Sequence, residues 1–181
     1  MINSQYLSSE VLNNITSYLK KSSSIQLQEI LTQEIYQKLL NNLSKLKLKR
    51  EYIPNSHSYS SLEFKDNELI SLLTEFISKL LNKKVKLISS KLYSFAHKDY
   101  TLLQDDISEE KGITAILELT PDWNLESNGY TSFMIKDEEL IRINPSHNTL
   151  SIIKTTKKMQ SFVKYINHYS KDKKRLFIEL K

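Results

Sequence analysis

Apolar residues change their spacing partway along the chain. Through residues 1–83 they recur every three or four positions, and from Val85 onward they alternate. The first spacing lines one face of a helix and the second one face of a strand. Ser8 or Ser9 predicts the cap of a helix with Val11, Leu12, Ile15 and Leu19 on one face. Ser24 opens a short segment with Leu27, Ile30 and Leu31, and Thr32 caps a longer helix with Ile35, Leu39, Leu40 and Leu43. Asp66 caps the clearest helix, whose stripe is Leu69, Leu72, Leu73, Phe76, Ile77, Leu80 and Leu81. Core packing accounts for that stripe without a cofactor. Between the helices, 46–54 alternates and predicts an edge strand closed by Pro54, while the polar run 55–61, NSHSYSS, reads as a loop.

Alternation then predicts strands over 85–95, 101–105, 113–119, 130–135, 140–143, 150–154, 162–166 and 175–180. Eight strands with short connections suit a double-stranded β-helix, or jelly roll. Helices followed by strands place the chain in the α+β class. The expectation is one domain, with 1–83 mainly helical support and 84–181 the β-helix core.

Composition narrows the chemistry. A chain of 181 residues can build a single core, and 39% hydrophobic residues separate it from disordered sequences. With no cysteine and four histidines, disulfide frameworks and zinc motifs fail. Two glycines cannot form a phosphate-binding loop, and no G-x-S-x-G elbow is present. No apolar run nears the ~20 residues of a membrane span, and the start has no signal-peptide pattern, so a cytoplasmic protein without membrane attachment is expected. Net charge is +5, with basic clusters at 45–50, 83–86, 154–158 and 171–175. Such clusters attract polyanions through counterion release, and they equally suit solvated lysines at element ends.

The most telling stretch is 100–123, YTLLQDDISEEKGITAILELTPDW. It resembles the core of the iron(II)/2-oxoglutarate oxygenases of the ribosomal prolyl hydroxylase type, which carry LLxHDD where this chain has Leu102-Leu103-Gln104-Asp105-Asp106. The resemblance continues through the strand 113–119, the turn Thr120-Pro121-Asp122-Trp123, and Asn128-Gly129 in place of a Gly-Gly pair. It extends to Pro145-Ser146-His147-Asn148-Thr149-Leu150. Counting on, the family's second histidine falls at Ser161, and Arg175 matches the arginine that pairs with the 2-oxoglutarate carboxylate. Many members carry a second, non-catalytic jelly roll, for which this chain is too short.

The resemblance implies former metal positions at Gln104, Asp106 and Ser161. Iron(II) in these enzymes is held by two histidines and a carboxylate on one face. A glutamine amide and a serine hydroxyl are poor substitutes, so the expectation is a catalytically inactive binding protein with neither metal nor cofactor. The implied partner is the ribosome, a ribosomal protein or rRNA, with the chain occupying a functional site in dormancy or regulation. Two alternatives stay open: an active Fe(II)/2-oxoglutarate protein hydroxylase with divergent ligands, and an anion or metabolite sensor using Arg175. A literal HxD at His97-Lys98-Asp99, with His147 or His168 as third ligand, breaks the match at Leu102, Leu103 and Trp123. His97 also lies an odd number of residues from Gln104 and so faces the other way on a regular strand. Tyr130, Phe133 and Phe162 are candidates to fill the former iron pocket.

Overall fold

The computed structural model describes residues 1–86, 89–103 and 112–181. Among these are three α-helices: α1 (Ser9–Lys21), α2 (Gln33–Leu43) and α3 (Asn67–Leu81). The strands are β1 (Ser24–Leu27), β2 (Lys49–Ile53), β3 (His57–Glu63), β4 (Ser90–Phe95), β5 (Tyr100–Thr101), β6 (Gly112–Glu118), β7 (Thr131–Ile135), β8 (Glu138–Ile143), β9 (Thr149–Thr155), β10 (Met159–Val163) and β11 (Arg175–Leu180).

Local chemistry sets the helix ends. The Ser8 hydroxyl accepts the Val11 N–H at 3.3 Å, and the Asp66 carboxylate accepts the Leu69 N–H at 3.0 Å. Each satisfies a donor that the first turn leaves unpaired. Lys20 and Lys21 in the last turn of α1 favour its negative end. Thr32 precedes α2 without a side-chain capping bond. Among the described residues, no helix is long and apolar enough to cross a membrane.

The strands form two antiparallel sheets. The larger runs β1-β9-β6-β11-β4-β3-β2, with β5 beside β3, and the smaller runs β10-β7-β8. One face of the large sheet presents Leu92, Leu117, Leu150, Ile152, Ile178 and Leu180 to Leu19, Leu73, Ile77 and Leu80 of the helices. Its other face presents Tyr59, Phe95, Ile116, Ile153 and Phe177 to Phe133, Ile141, Ile143, Met159 and Val163 of the small sheet. Two curled sheets with helices packed outside the larger one make the double-stranded β-helix. Because β6 is covered on both faces, Thr114 to Leu119 are all buried and read as a run rather than an alternation.

Three expectations need correction. The segment opening at Ser24 is a strand, β1, paired with β9 from Ser24↔Ile153 to Leu27↔Leu150. The polar run 55–61 is not a loop: its second part opens β3, which lies between β2 and β4. Serine obscured the alternation there, and only Tyr59 supplies an apolar side chain to the core. The strand placed at 162–166 runs instead over Met159–Val163, paired with β7. Residues 1–83 thus contribute three strands as well as the helices, and β2 forms the expected edge.

Asn148 fastens the N-terminal segment to this frame. It is buried, with φ of 45°. Its side chain accepts the Leu31 N–H at 3.0 Å and donates to the Leu31 carbonyl at 2.8 Å, while its own carbonyl accepts the Ile30 N–H at 2.9 Å. Asn148→Ala leaves both Leu31 backbone groups buried and unpaired. Urea denaturation of this variant should show a loss of about 1–3 kcal/mol, with faster hydrogen exchange at the Leu31 amide.

Candidate functional site

Ser161 is on β10, opposite Phe133 of β7. Its strand neighbours at two-residue spacing, Met159 and Val163, are both buried in the core between the sheets, so Ser161 faces inward with them. It lines a cavity of about 50 Å³ together with Tyr59, Tyr93, Phe95, Thr101 and Phe177. Thr101 accepts the Val163 N–H at 2.7 Å, which pins β5, three residues before Gln104, against the strand of Ser161. Gln104 and Asp106 themselves lie outside the described residues.

Aromatic rings take most of the space at this end of the interior. Tyr59 and Phe95 have ring centroids 5.3 Å apart, Tyr93 and Phe177 5.1 Å, and Phe95 and Phe177 5.8 Å. The Lys91 ammonium caps the group, 5.1 Å from the Tyr93 centroid and 5.5 Å from that of Tyr59. A cavity of about 50 Å³ holds a few waters, whereas ligand pockets run to ~300 Å³ or more. Of the three expected fillers, Phe133 is buried in this core and Phe162 lines the cavity. Tyr130 instead packs on the Arg142 guanidinium, 4.2 Å from its ring. The sequence reading missed Tyr59, Tyr93, Phe95 and Phe177. The two-residue spacing of Tyr93 and Phe95 was a usable signal, since it puts both rings on one strand face.

Arg175 is fully buried at the start of β11. Phe177 pairs with Glu118 across the β11–β6 ladder, so Arg175 and Glu118 are diagonal neighbours on the inner face. The Arg175 guanidinium donates through Nη2 and Nε to the two Glu118 carboxylate oxygens, and Glu118 is likewise fully buried. Nη1 donates to the Gly129 carbonyl at 2.7 Å, and the guanidinium carbon sits 4.3 Å above the Phe177 ring. Burial pushes the Glu118 carboxyl above the ordinary carboxylate range; Arg175 and a backbone bond from Ser146 pull it down without offsetting burial. Arg175, the expected anion-binding candidate, is thus half of a core ion pair. Its partner is already a carboxylate, and the ring it packs on, Phe177, is among the described residues lining the cavity while Arg175 is not.

The turn that supports this pair follows the expected chemistry. Asn128 has φ of 58° and Gly129 φ of 74°. A β-carbon on Gly129 would meet Ile166 Cγ1 at 2.7 Å, so only glycine fits beneath Arg175. The Trp123 indole N–H donates to the Asn128 carbonyl at 2.9 Å and closes the turn from the other side.

His97-Lys98-Asp99 is a turn and not a ligand pair. His97 is exposed, Lys98 has φ of 72°, and Asp99 is buried. Asp99 accepts from Arg50 at 2.6 and 2.9 Å, from the Ser58 hydroxyl at 2.7 Å and from the Ala96 N–H at 2.8 Å. His147 and His168 are exposed. Among the described residues, no three His, Cys, Asp or Glu side chains converge on a metal position. Iron(II) favours imidazole and carboxylate, and Ser161 offers a neutral hydroxyl. A 2-oxoglutarate carboxylate needs a guanidinium edge that faces it, and Arg175 directs three of its five N–H donors, including the Nε–Nη2 edge, to Glu118 and Gly129. The described residues fit neither group.

The pair makes a sharp energetic test. Arg175→Met alone buries an uncompensated carboxylate and should lower stability by about 3–5 kcal/mol in urea unfolding. Adding Glu118→Leu should recover much of that loss, because the double variant no longer buries a lone charge.

Residues 58–179 match a family model described as oxoglutarate and iron-dependent oxygenase degradation C-term. The chain is 29% identical over 150 residues to the prolyl 3-hydroxylase OGFOD1 of Xenopus laevis; the match takes in 80% of this chain and 29% of that protein. This chain thus spans under a third of that relative's length. Among solved structures, it superimposes on a prolyl hydroxylase from Trichoplax adhaerens, in complex with a hypoxia inducible factor peptide fragment, at a TM-score of 0.72 and 13% identity. That match covers 94% of this chain and 88% of the other. It superimposes on a Pseudomonas putida prolyl-4-hydroxylase at a TM-score of 0.69 and 12% identity, covering 93% and 97%. The extent of the family match and the two-sheet fold agree: the chain belongs to this oxoglutarate and iron-dependent oxygenase family, and resembles its ribosomal prolyl hydroxylases.

Proposed function

We propose that this chain is an oxygenase-fold protein that works by binding rather than by turnover, with the translation apparatus as its partner. The observation that carries the first half is the commitment of Arg175 to Glu118 inside a fully buried pair. The arginine matched to cosubstrate binding is engaged within the protein, and the cavity that Ser161 lines with other described residues measures about 50 Å³, below the usual range of ligand pockets. For a sensor that captures a free anion at Arg175, the receptor group is likewise already paired with Glu118. The sequence at 100–106 adds that Gln104 stands where the family has a histidine.

The second half draws on kinship and charge. A relative of this chain is named a prolyl 3-hydroxylase, and the family resemblance points to ribosomal substrates. Basic clusters far apart in sequence also meet on the surface. Lys83 from one and Lys154 from another line a cleft of about 420 Å³ with Lys20, beside Thr16, Thr155 and Thr156. Among the described residues lining it there is no acid. Such a surface suits the phosphates of rRNA through counterion release. The role is then to occupy a ribosomal site in a dormant or regulated state, in the cytoplasm.

Two measurements test this reading. Calorimetric titration of metal-free protein with Mn(II), and then with 2-oxoglutarate, should give no saturable heat. Micromolar binding of both would instead establish an active site with divergent ligands and make the hydroxylase reading the correct one. Co-sedimentation with ribosomes should be strong at low salt and fall steeply as salt rises; no co-sedimentation even at low salt removes the ribosome as partner.

A further inference from the structure

Two stretches remote in sequence meet on the surface beside β5. The Lys98 N–H donates to the Ile166 carbonyl at 2.9 Å, and the Ile166 N–H donates to the Asp99 carbonyl at 3.0 Å. Both stretches mix basic and aromatic residues: His97, Lys98 and Tyr100 in one, Lys164, Tyr165, His168 and Tyr169 in the other. We propose that this surface binds single-stranded RNA, stacking unpaired bases on Tyr165 and Tyr169 and holding phosphates with the lysines around them. It rests on the translation-apparatus reading above, names the form of RNA engaged, and uses no residue of the lysine-lined cleft.

The fold leaves these rings unused. Tyr165 is 43% exposed and Tyr169 50% exposed, and neither belongs to a core cluster, so each offers an aromatic face to a ligand. They are not isolated rings: the Tyr165 centroid lies 6.4 Å from that of Tyr100, and the Tyr169 centroid 4.3 Å from that of His168. Their backbone is also held. The Lys164 N–H donates to the Tyr130 carbonyl at 2.9 Å, next to the Ile166 bonds that bracket Tyr165. Tyr169 sits in a single 3₁₀ turn, His168–Ser170, where the Asn167 side chain accepts the Tyr169 N–H at 2.9 Å and donates to the Glu126 carbonyl at 2.7 Å. A ring on a fixed backbone loses little freedom when a base stacks on it. Charge then selects the partner. Lys98, Lys164, Lys171 and Lys174 are exposed, and among the described residues no carboxylate pairs with them. Asp99 is buried against Arg50, which leaves Asp172 as the exposed acid of the two stretches. A duplex keeps its bases stacked inside and offers phosphates alone, and an acidic peptide offers carboxylates without flat rings. A single strand offers both the charge and the π-faces that this surface takes.

Fluorescence anisotropy with a labelled RNA of mixed sequence, about 12 nucleotides long, tests this on the full chain. The single strand should bind more tightly than the duplex of the same sequence and more tightly than polyglutamate. Tyr165→Ala and Tyr169→Ala should each weaken single-strand binding about tenfold, the loss of one stacked base, and leave duplex binding unchanged. Tyr165→Phe and Tyr169→Phe keep the ring and should bind as the parent does. Both rings are exposed, so all four variants should melt with the parent, and the Phe variants separate loss of stacking from any disturbance of the fold. Lys164→Gln combined with Lys171→Gln should weaken binding and make it less sensitive to salt. Alanine variants that bind the single strand as the parent does, or a duplex or polyglutamate bound as tightly as the single strand, overturn the proposal and leave a surface that attracts any polyanion or an acidic protein. That failure is distinct from failure of the ribosome reading, which is decided by co-sedimentation of the unaltered chain at low salt.

Discussion

The large sheet is buried on both faces, and the rest of the molecule follows from that. Helices cover one face and the small sheet the other, so strands such as β6 and β9 have no solvent side. Every inner-face side chain then competes for the same space between the sheets. Where that space is left open, a jelly roll has a ligand pocket. Here, among the described residues, Tyr59, Tyr93, Phe95 and Phe177 line that space, and a cavity of about 50 Å³ lies beside Ser161.

A fully buried arginine and glutamate in such a core are costly to desolvate. The pair is tolerated because its geometry is nearly saturated: the carboxylate takes two guanidinium nitrogens, and the third goes to a backbone carbonyl at a turn that admits only glycine. The ring of Phe177 adds a cation–π contact. A slip in the register of β11 against β6 would strand both charges.

The fold by itself leaves the activity undecided. Solved structures with this arrangement of sheets include prolyl hydroxylases, at identities too low to carry a function across. The inner-face positions that bear on it are a serine at 161, an arginine paired with Glu118, and the rings of Tyr59, Tyr93, Phe95 and Phe177. The lysine-lined cleft at the ends of α1 and α3 lies on the surface, away from the aromatic interior.

Periodicity in the sequence determined the helices and most of the strands, because side-chain spacing is a local property of the backbone. Asp66 and the stripe through Leu81 defined α3, and Asn128-Gly129 declared a left-handed turn, which the structure has. Alternation likewise put Arg175 at the start of a strand, as it is in β11. Local pattern failed where pairing partners decide the outcome. Tyr59 and the serines around it form a strand only because β2 and β4 flank them, and 24–27 is extended because β9 offers it an edge. The role of Arg175 was hidden for the same reason. Glu118 is 57 residues away in sequence, and only the antiparallel register of β6 and β11 brings its carboxylate to the guanidinium. The sequence therefore decided which residues face inward, and the tertiary structure decided what each of them meets there, since contacts across a sheet depend on strand order and register, which no local pattern encodes.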